Sequence, residues 1–158
     1  MNWLYKGNEV VSVDDMPEGV YGFVYEVIHK PTGKKYLGKK QVTFTRKTKI
    51  GKREAQRIKE EKKLKGERAV SPKFKKVTKE SDWKDYVGSS DEVKQLLTEG
   101  SLNDFKRYIL DYAFHKKQLS YKETKLLFTN EVLEKEIYIN SNIQGKWFRK
   151  DTKNNINE

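Results

Sequence analysis

The chain has 158 residues, enough for one ordinary domain around one core. Only 35% of them are hydrophobic and 36% are charged, so that core is modest. The absence of cysteine excludes disulfides and cysteine-held zinc and fits a reducing compartment; no apolar run reaches membrane-spanning length, which excludes a spanning segment. Met1-Asn2-Trp3-Leu4-Tyr5-Lys6 lacks a secretory hydrophobic region, so a soluble, cytoplasmic protein without a membrane partner is expected.

The net charge of +11 is concentrated in one place. Between Thr43 and Glu80 stand fifteen Lys or Arg against five Glu, so this stretch carries +10 of the total. Clustered cations gain affinity for nucleic acid by releasing its counterions. The plainer alternative is a solvated surface insertion, because Glu54, Glu60, Glu61 and Glu67 interleave the cations at helix-pair spacings.

In chain order, residues 1–19 read as a lead-in with a strand around Val10 to Val13, closed by Met16-Pro17-Glu18-Gly19. Val20 to Ile28 and Lys35 to Thr43 read as a hairpin about Lys30-Pro31-Thr32-Gly33-Lys34. Phe23-Val24-Tyr25 and Tyr36-Leu37-Gly38 lie on its two arms with ten residues between the tyrosines. That spacing sets both at equivalent distances from the loop, where two strands can aim both phenols at one place.

Arg46 to about Arg68 reads as helical, without a continuous apolar stripe, and Ser71-Pro72 breaks it. Trp83, Tyr86 and Val87 read as core anchors; Ser89 with Glu92 makes a capping-box pattern before a helix ending near Gly100. Phe105 to Ala113 fits a third strand and almost equally a helix. Ser120 opens a clearer helix, with Tyr121, Leu126, Leu127, Val132 and Leu133 as candidate buried positions. A turn at Gly145 precedes a basic aromatic segment, Lys146-Trp147-Phe148-Arg149-Lys150. Together these predict a small α+β domain: a short, mostly antiparallel central sheet flanked by helices. Its expected extent is residues 1–150, with the basic insertion at about 44–80 and a frayed polar tail at 151–158.

The two tyrosine-bearing triplets resemble the first and second motifs of the GIY-YIG nucleases, in particular small phage-encoded, homing-endonuclease-like members. Phe23 stands where the family's first glycine is usual, with Gly22 beside it. The family arginine corresponds to Arg46, ten residues past Tyr36, and the family glutamate to Glu123 in Tyr121-Lys122-Glu123-Thr124-Lys125. The terminal asparagine corresponds to Asn142 before Ile143, with Asn140 as the alternative. The resemblance spans residues 20–145.

It implies a DNA endonuclease that hydrolyses phosphodiester bonds with a divalent ion, Mg²⁺ with Mn²⁺ as a substitute, and it leaves the oligomeric state open. Tyr25 would act as general base, Tyr36 would orient the water or phosphate, and Arg46 would grip phosphoryl oxygens through its planar fork. Glu123 would hold the ion and Asn142 a hydrogen-bonding position at the pocket edge. A free tyrosine has a pKa near 10, so a base at Tyr25 needs a positive field, which Lys39, Lys40 and Arg46 could supply. Lys39, Lys40, Lys47, Lys49, Lys52, Arg53 and Arg57 are the expected DNA contacts; Arg107 and the 146–150 segment are assigned to DNA or solvent. His29 and His115 lack metal-ligand spacing.

Each residue has a duller alternative. Strand tyrosines are commonly half-buried aromatics. Glu123, three residues after Ser120, fits a capping box, and Asn142 fits a turn. The corresponding whole-chain alternative is a catalytically idle module that binds DNA or protein through its basic insertion.

Overall fold

Short runs of β-branched and aromatic residues alternate along this chain with two amphipathic stretches and one strongly basic stretch, and the elements follow that division. The computed structural model describes residues 1–68, 70 and 72–154; Ser71 of the expected break and residues 155–158 of the expected tail lie outside the described residues. In order come β1 (Trp3–Tyr5), β2 (Asn8–Val10), β3 (Gly22–His29), β4 (Lys35–Gln41), β5 (Thr43–Lys49), α1 (Lys52–Leu64) and β6 (Phe74–Glu80). They are followed by α2 (Asp91–Glu99), β7 (Phe105–Ala113), α3 (Lys116–Thr129), β8 (Asn142–Ile143) and β9 (Trp147–Phe148). The chain divides into two compact units, Met1–Val42 with the chain from Asp82 onward, and Thr43–Ser81.

The first unit is an α+β domain built on a five-stranded sheet of order β2-β1-β7-β3-β4. Only the β1–β7 pairing is parallel. Period-two alternation along β3 sends Phe23, Tyr25 and Val27 into one core with Trp3, Trp83, Val93, Phe105 and Ile109. Val24 faces the other way, onto Ala113 and Leu119 of α3. Trp3 Nε1–H donates to the Trp83 carbonyl (2.8 Å), satisfying the indole inside the core. β7 is the strand alternative of the 105–113 segment, paired along β3 with a register shift between Val24 and Tyr25. The bulge bends the sheet beside the first motif tyrosine.

Several sequence expectations shift. The lead-in strand lies at Asn8–Val10, and Trp3–Tyr5 is a strand that the sequence reading passed over. α2 is N-capped by Ser90, without a side-chain cap bond, rather than by Ser89. α3 starts at Lys116, four residues before Ser120, because the His115 Nδ1 accepts the Gln118 N–H (3.2 Å) and supplies the cap. Ser120 is thus inside the helix, and its capping box with Glu123 does not form. Tyr121 is exposed, whereas Leu127, Val132 and Leu133 are buried.

The second unit is a hairpin of β5 and β6 with α1 between its strands in sequence. The helix expected from Arg46 is a strand until Lys49, since Thr43, Phe44, Thr45 and Thr48 pair across to residues 74–80 and α1 begins only at Lys52. Within this unit Ile50 is the one residue of the described set in the buried class.

Candidate active site at the β4 edge

β4 is an edge strand, and the site is assembled around it. Tyr36 stands opposite Val27 and Tyr25 opposite Gly38, so the tyrosines are offset by two residues rather than equidistant from the loop. The offset makes them diagonal neighbours on one face, with ring centroids 6.3 Å apart. Gly38 gives Tyr25 its place: a Cβ there would stand 2.6 Å from the Tyr25 hydroxyl oxygen and 3.2 Å from Tyr36 Cε1. Gly88, at φ +143°, performs the same service from the opposite wall, where a Cβ would lie 3.0 Å from the Tyr36 ring.

Tyr86 completes a group of three phenols, its ring edge-on to Tyr25 at 5.9 Å, and Lys40 Nζ lies 3.9 Å from the Tyr86 ring centroid. Tyr36 and Ser89 share a hydroxyl–hydroxyl hydrogen bond of 3.0 Å. Ser89 therefore serves the tyrosine instead of the helix end. Tyr86 reads as a core residue from sequence because Trp83 and Val87 flank it; only the Gly88-Ser89-Ser90 run hints that the segment turns inward.

The other face contributes α3. Glu123 projects toward β4, where Lys39 Nζ lies 3.5 Å from its Oε1 and donates to Ser120 Oγ at 3.0 Å. At the open edge the Asn140 amide imitates a neighbouring strand: Nδ2 donates to the Leu37 carbonyl (2.8 Å) and Oδ1 accepts the Leu37 N–H (3.1 Å). Asn140 is 4% exposed. Arg149 holds the segment bearing it, donating to the carbonyls of Leu133, Lys135, Tyr138 and Asn140. Asn142 instead accepts the Gly145 N–H (2.8 Å) and closes a turn. A cleft of about 570 Å³ runs along this edge, lined among others by Tyr36, Ser89, Glu92, Glu123, Asn140 and Asn142.

Tyr25 sits behind the cleft, 1% exposed, and is not part of its lining. Burial, then the neighbouring phenols of Tyr86 and Tyr36, then the Glu123 charge, hold the Tyr25 hydroxyl well above the usual phenol range. Burial also raises Tyr36, partly offset by its bond to Ser89. Two of the cations expected to set a positive field around Tyr25 have acidic partners: Lys39 faces Glu123, and Lys40 pairs with Asp82 at 2.5 Å. Burial raises the Glu123 carboxyl as well, and Lys39 opposes that rise.

Arg46 belongs to the second unit, exposed on β5 opposite Val77. Lys47, Lys49, Lys52, Arg53 and Arg57 are exposed there too. Arg107 is not a surface cation. At 2% exposure it donates to the carbonyls of Lys84, Tyr86 and Met1 and stacks 4.9 Å from the Trp3 ring. Its arginine head is spent on fixing the Tyr86 segment, since buried carbonyls need donors. Desolvation pulls its guanidinium down to about 10, so it stays charged at neutral pH. Arg149 is likewise committed to internal carbonyls.

Over residues 3–143 the chain matches the protein family described as putative endonuclease segE, GIY-YIG domain. The chain belongs to this family. No curated protein and no solved structure matches it. The GIY-YIG assignment accounts for the paired tyrosine triplets on adjacent strands, and the family points to nuclease activity with a nucleic-acid substrate. No helix among the described residues is long and apolar enough to cross a membrane.

The candidate site is compatible with one hard dication. Such an ion accepts one carboxylate and takes its other oxygens from water and phosphate. Glu123 offers that carboxylate at a polar cleft with room for both. Among the described residues no group of three or more His, Asp or Glu could share the ion.

Proposed function

We propose that this chain is a divalent-metal-dependent DNA endonuclease, phage-encoded and acting in the cytoplasm of an infected bacterium. The observation that carries the reading is the β4-edge cleft, which unites Tyr36, Ser89, Glu123 and Asn140 with Tyr25 directly behind. A dication, Mg²⁺ with Mn²⁺ as a substitute, held by Glu123 would neutralise charge on the scissile phosphate and on the departing 3′ oxygen. Tyr36, the phenol that lines the cleft, orients the phosphate or the attacking water. Tyr25 is the general base.

The raised phenols make that base conditional. Both are neutral at pH 7, and the Glu123 charge contributes to keeping them so. Neutralising that charge removes its contribution, so Tyr25 gives up its proton more readily, toward the phenolate that a base requires, once Glu123 is engaged. Arg46 grips phosphoryl oxygens and Asn142 holds a hydrogen-bonding position at the cleft mouth, while Asn140 keeps β4 in register. Lys39, Lys40 and the cations of residues 43–81 track the phosphate backbone.

The idle-module alternative has one observation in its favour: Glu123 already has a cation partner in Lys39. Supercoiled plasmid separates the two. With Mg²⁺, wild type should nick or linearise it, while Tyr25→Phe and Tyr36→Phe each lose about 10²–10⁴-fold, the range of a positioned proton-transfer group. Glu123→Ala should be inactive yet still bind DNA. Retained DNA without cleavage in either Mg²⁺ or Mn²⁺ would establish the idle module.

A further inference from the structure

The second unit has two unlike faces, and the register of its hairpin tells them apart. Cross-strand partners share a face, so Thr43, Thr45, Lys47 and Lys49 stand with Glu80, Thr78, Lys76 and Phe74. Phe44, Arg46 and Thr48 stand on the other side with Lys79, Val77 and Lys75. The second side is turned toward the helix, because Lys75 Nζ reaches both Glu54 oxygens of α1 at 2.9 Å. On the first side Thr45, Lys47, Lys49, Phe74, Lys76 and Thr78 are all exposed.

This first face is costly for a protein alone in water. Lys47 and Lys76 are direct cross-strand partners, a like-charge pair that destabilises a hairpin. Lys49 adds a third cation one pair further along, and no acidic side chain among the described residues pairs with any of the three. Phe74 lies beside them, 58% exposed. A polyanion turns each of these costs into a contact. A two-stranded ribbon also fits the major groove of B-form DNA, about 12 Å wide, where threonine hydroxyls and methyls meet base edges. Thr45 and Thr78, the neutral pair beside the lysines, stand where such contacts would be made.

We infer that the Thr45/Thr78–Lys47/Lys76–Lys49 face of the hairpin is a major-groove reading surface for double-stranded DNA. It rests on the reading of residues 43–81 as a DNA-contacting element and adds the face, the groove and the form of nucleic acid. Double-stranded RNA is the weaker partner on this reading, since its A-form major groove is too deep and narrow for side chains to read.

The test uses the full chain on duplex DNA without divalent ions, with dimethyl sulfate reporting on guanine N7 in the major groove. Wild type should protect N7. Lys47→Gln/Lys49→Gln/Lys76→Gln should abolish the protection, weaken binding tenfold or more and lower the salt slope by two to three, at about 0.9 per phosphate contact. A helix-side variant of equal charge change, Arg53→Gln/Arg57→Gln/Lys63→Gln, should lose affinity and keep the N7 pattern, and duplex RNA should compete at least tenfold less well. Circular dichroism of each variant checks that the hairpin is retained. Reactive N7 in the wild-type complex, equal effects of the two triples, full competition by RNA, or no DNA binding at all would each overturn the inference. Plasmid cleavage without N7 protection removes this surface and leaves the nuclease; N7 protection without cleavage does the reverse.

Discussion

Tyr25, Tyr36 and Glu123 are three titratable side chains whose burial makes their charged forms costly, and all three are pushed toward neutrality. For the phenols the consequence for stability has a definite sign. In the unfolded chain they ionise near pH 10, whereas in the folded protein they hold their protons to higher pH. The folded state therefore binds more protons above pH 10, and stability falls as pH rises past that value. Urea unfolding at pH 9 and at successive steps above pH 10 should show the fall, and Tyr25→Phe should make it shallower; an unchanged slope would mean that Tyr25 is not shielded as described. The glycines belong to the same scale. Gly38 in the second motif is a steric requirement of the first motif's tyrosine, which is why two triplets ten residues apart behave as one unit.

The decisive element is β4, an edge strand that needs protection on its open side. Asn140 supplies it by occupying both backbone groups of Leu37, the residue between Tyr36 and Gly38. Removing that amide leaves a buried N–H and C=O unpaired. Asn140→Ala should cost about 2–6 kcal/mol, taking about 1–3 kcal/mol for each of the two groups left unsatisfied, read by chemical denaturation. Asn142→Ala breaks the turn bond to Gly145 and an exposed bond to Ser141 that water can replace; it should cost about 0.5–1.5 kcal/mol, the worth of one ordinary hydrogen bond. Comparable losses would contradict the division of labour between the two asparagines. From sequence they are interchangeable, two residues apart in Tyr138-Ile139-Asn140-Ser141-Asn142-Ile143. Nothing local records that an open strand edge awaits one of them.

Across the whole molecule, core and charge are segregated. The unit containing the sheet holds every residue of the three hydrophobic clusters, while the 43–81 unit carries nearly all the net charge on a scaffold with little buried surface. Few buried contacts imply local opening well below the global unfolding energy. Amides of β5, α1 and β6 should exchange with deuterium faster than those of β3 and β7, and duplex DNA should slow them by binding the folded form. Equal protection in both units without DNA would show a second core that the burial pattern does not contain.

The sequence by itself determined the α+β class, the tyrosine hairpin, the concentration of charge at 43–80 and the family, because strand patterning, turn residues and net charge are local properties. It was weakest wherever a polar residue's partner is remote in the chain. Arg107 looks like any surface cation until the fold buries it against three carbonyls, and Ser89 looks like a helix cap until Tyr36 arrives to share its hydroxyl. The basic stretch read as a helix from Arg46 because charge spacing is visible locally, whereas the pairing of 43–49 with 74–80 is not. Only the tertiary structure decided which tyrosine meets the cleft and which asparagine holds the strand. Burial and hydrogen-bond partnership are set by residues that the fold brings together from opposite ends of the chain.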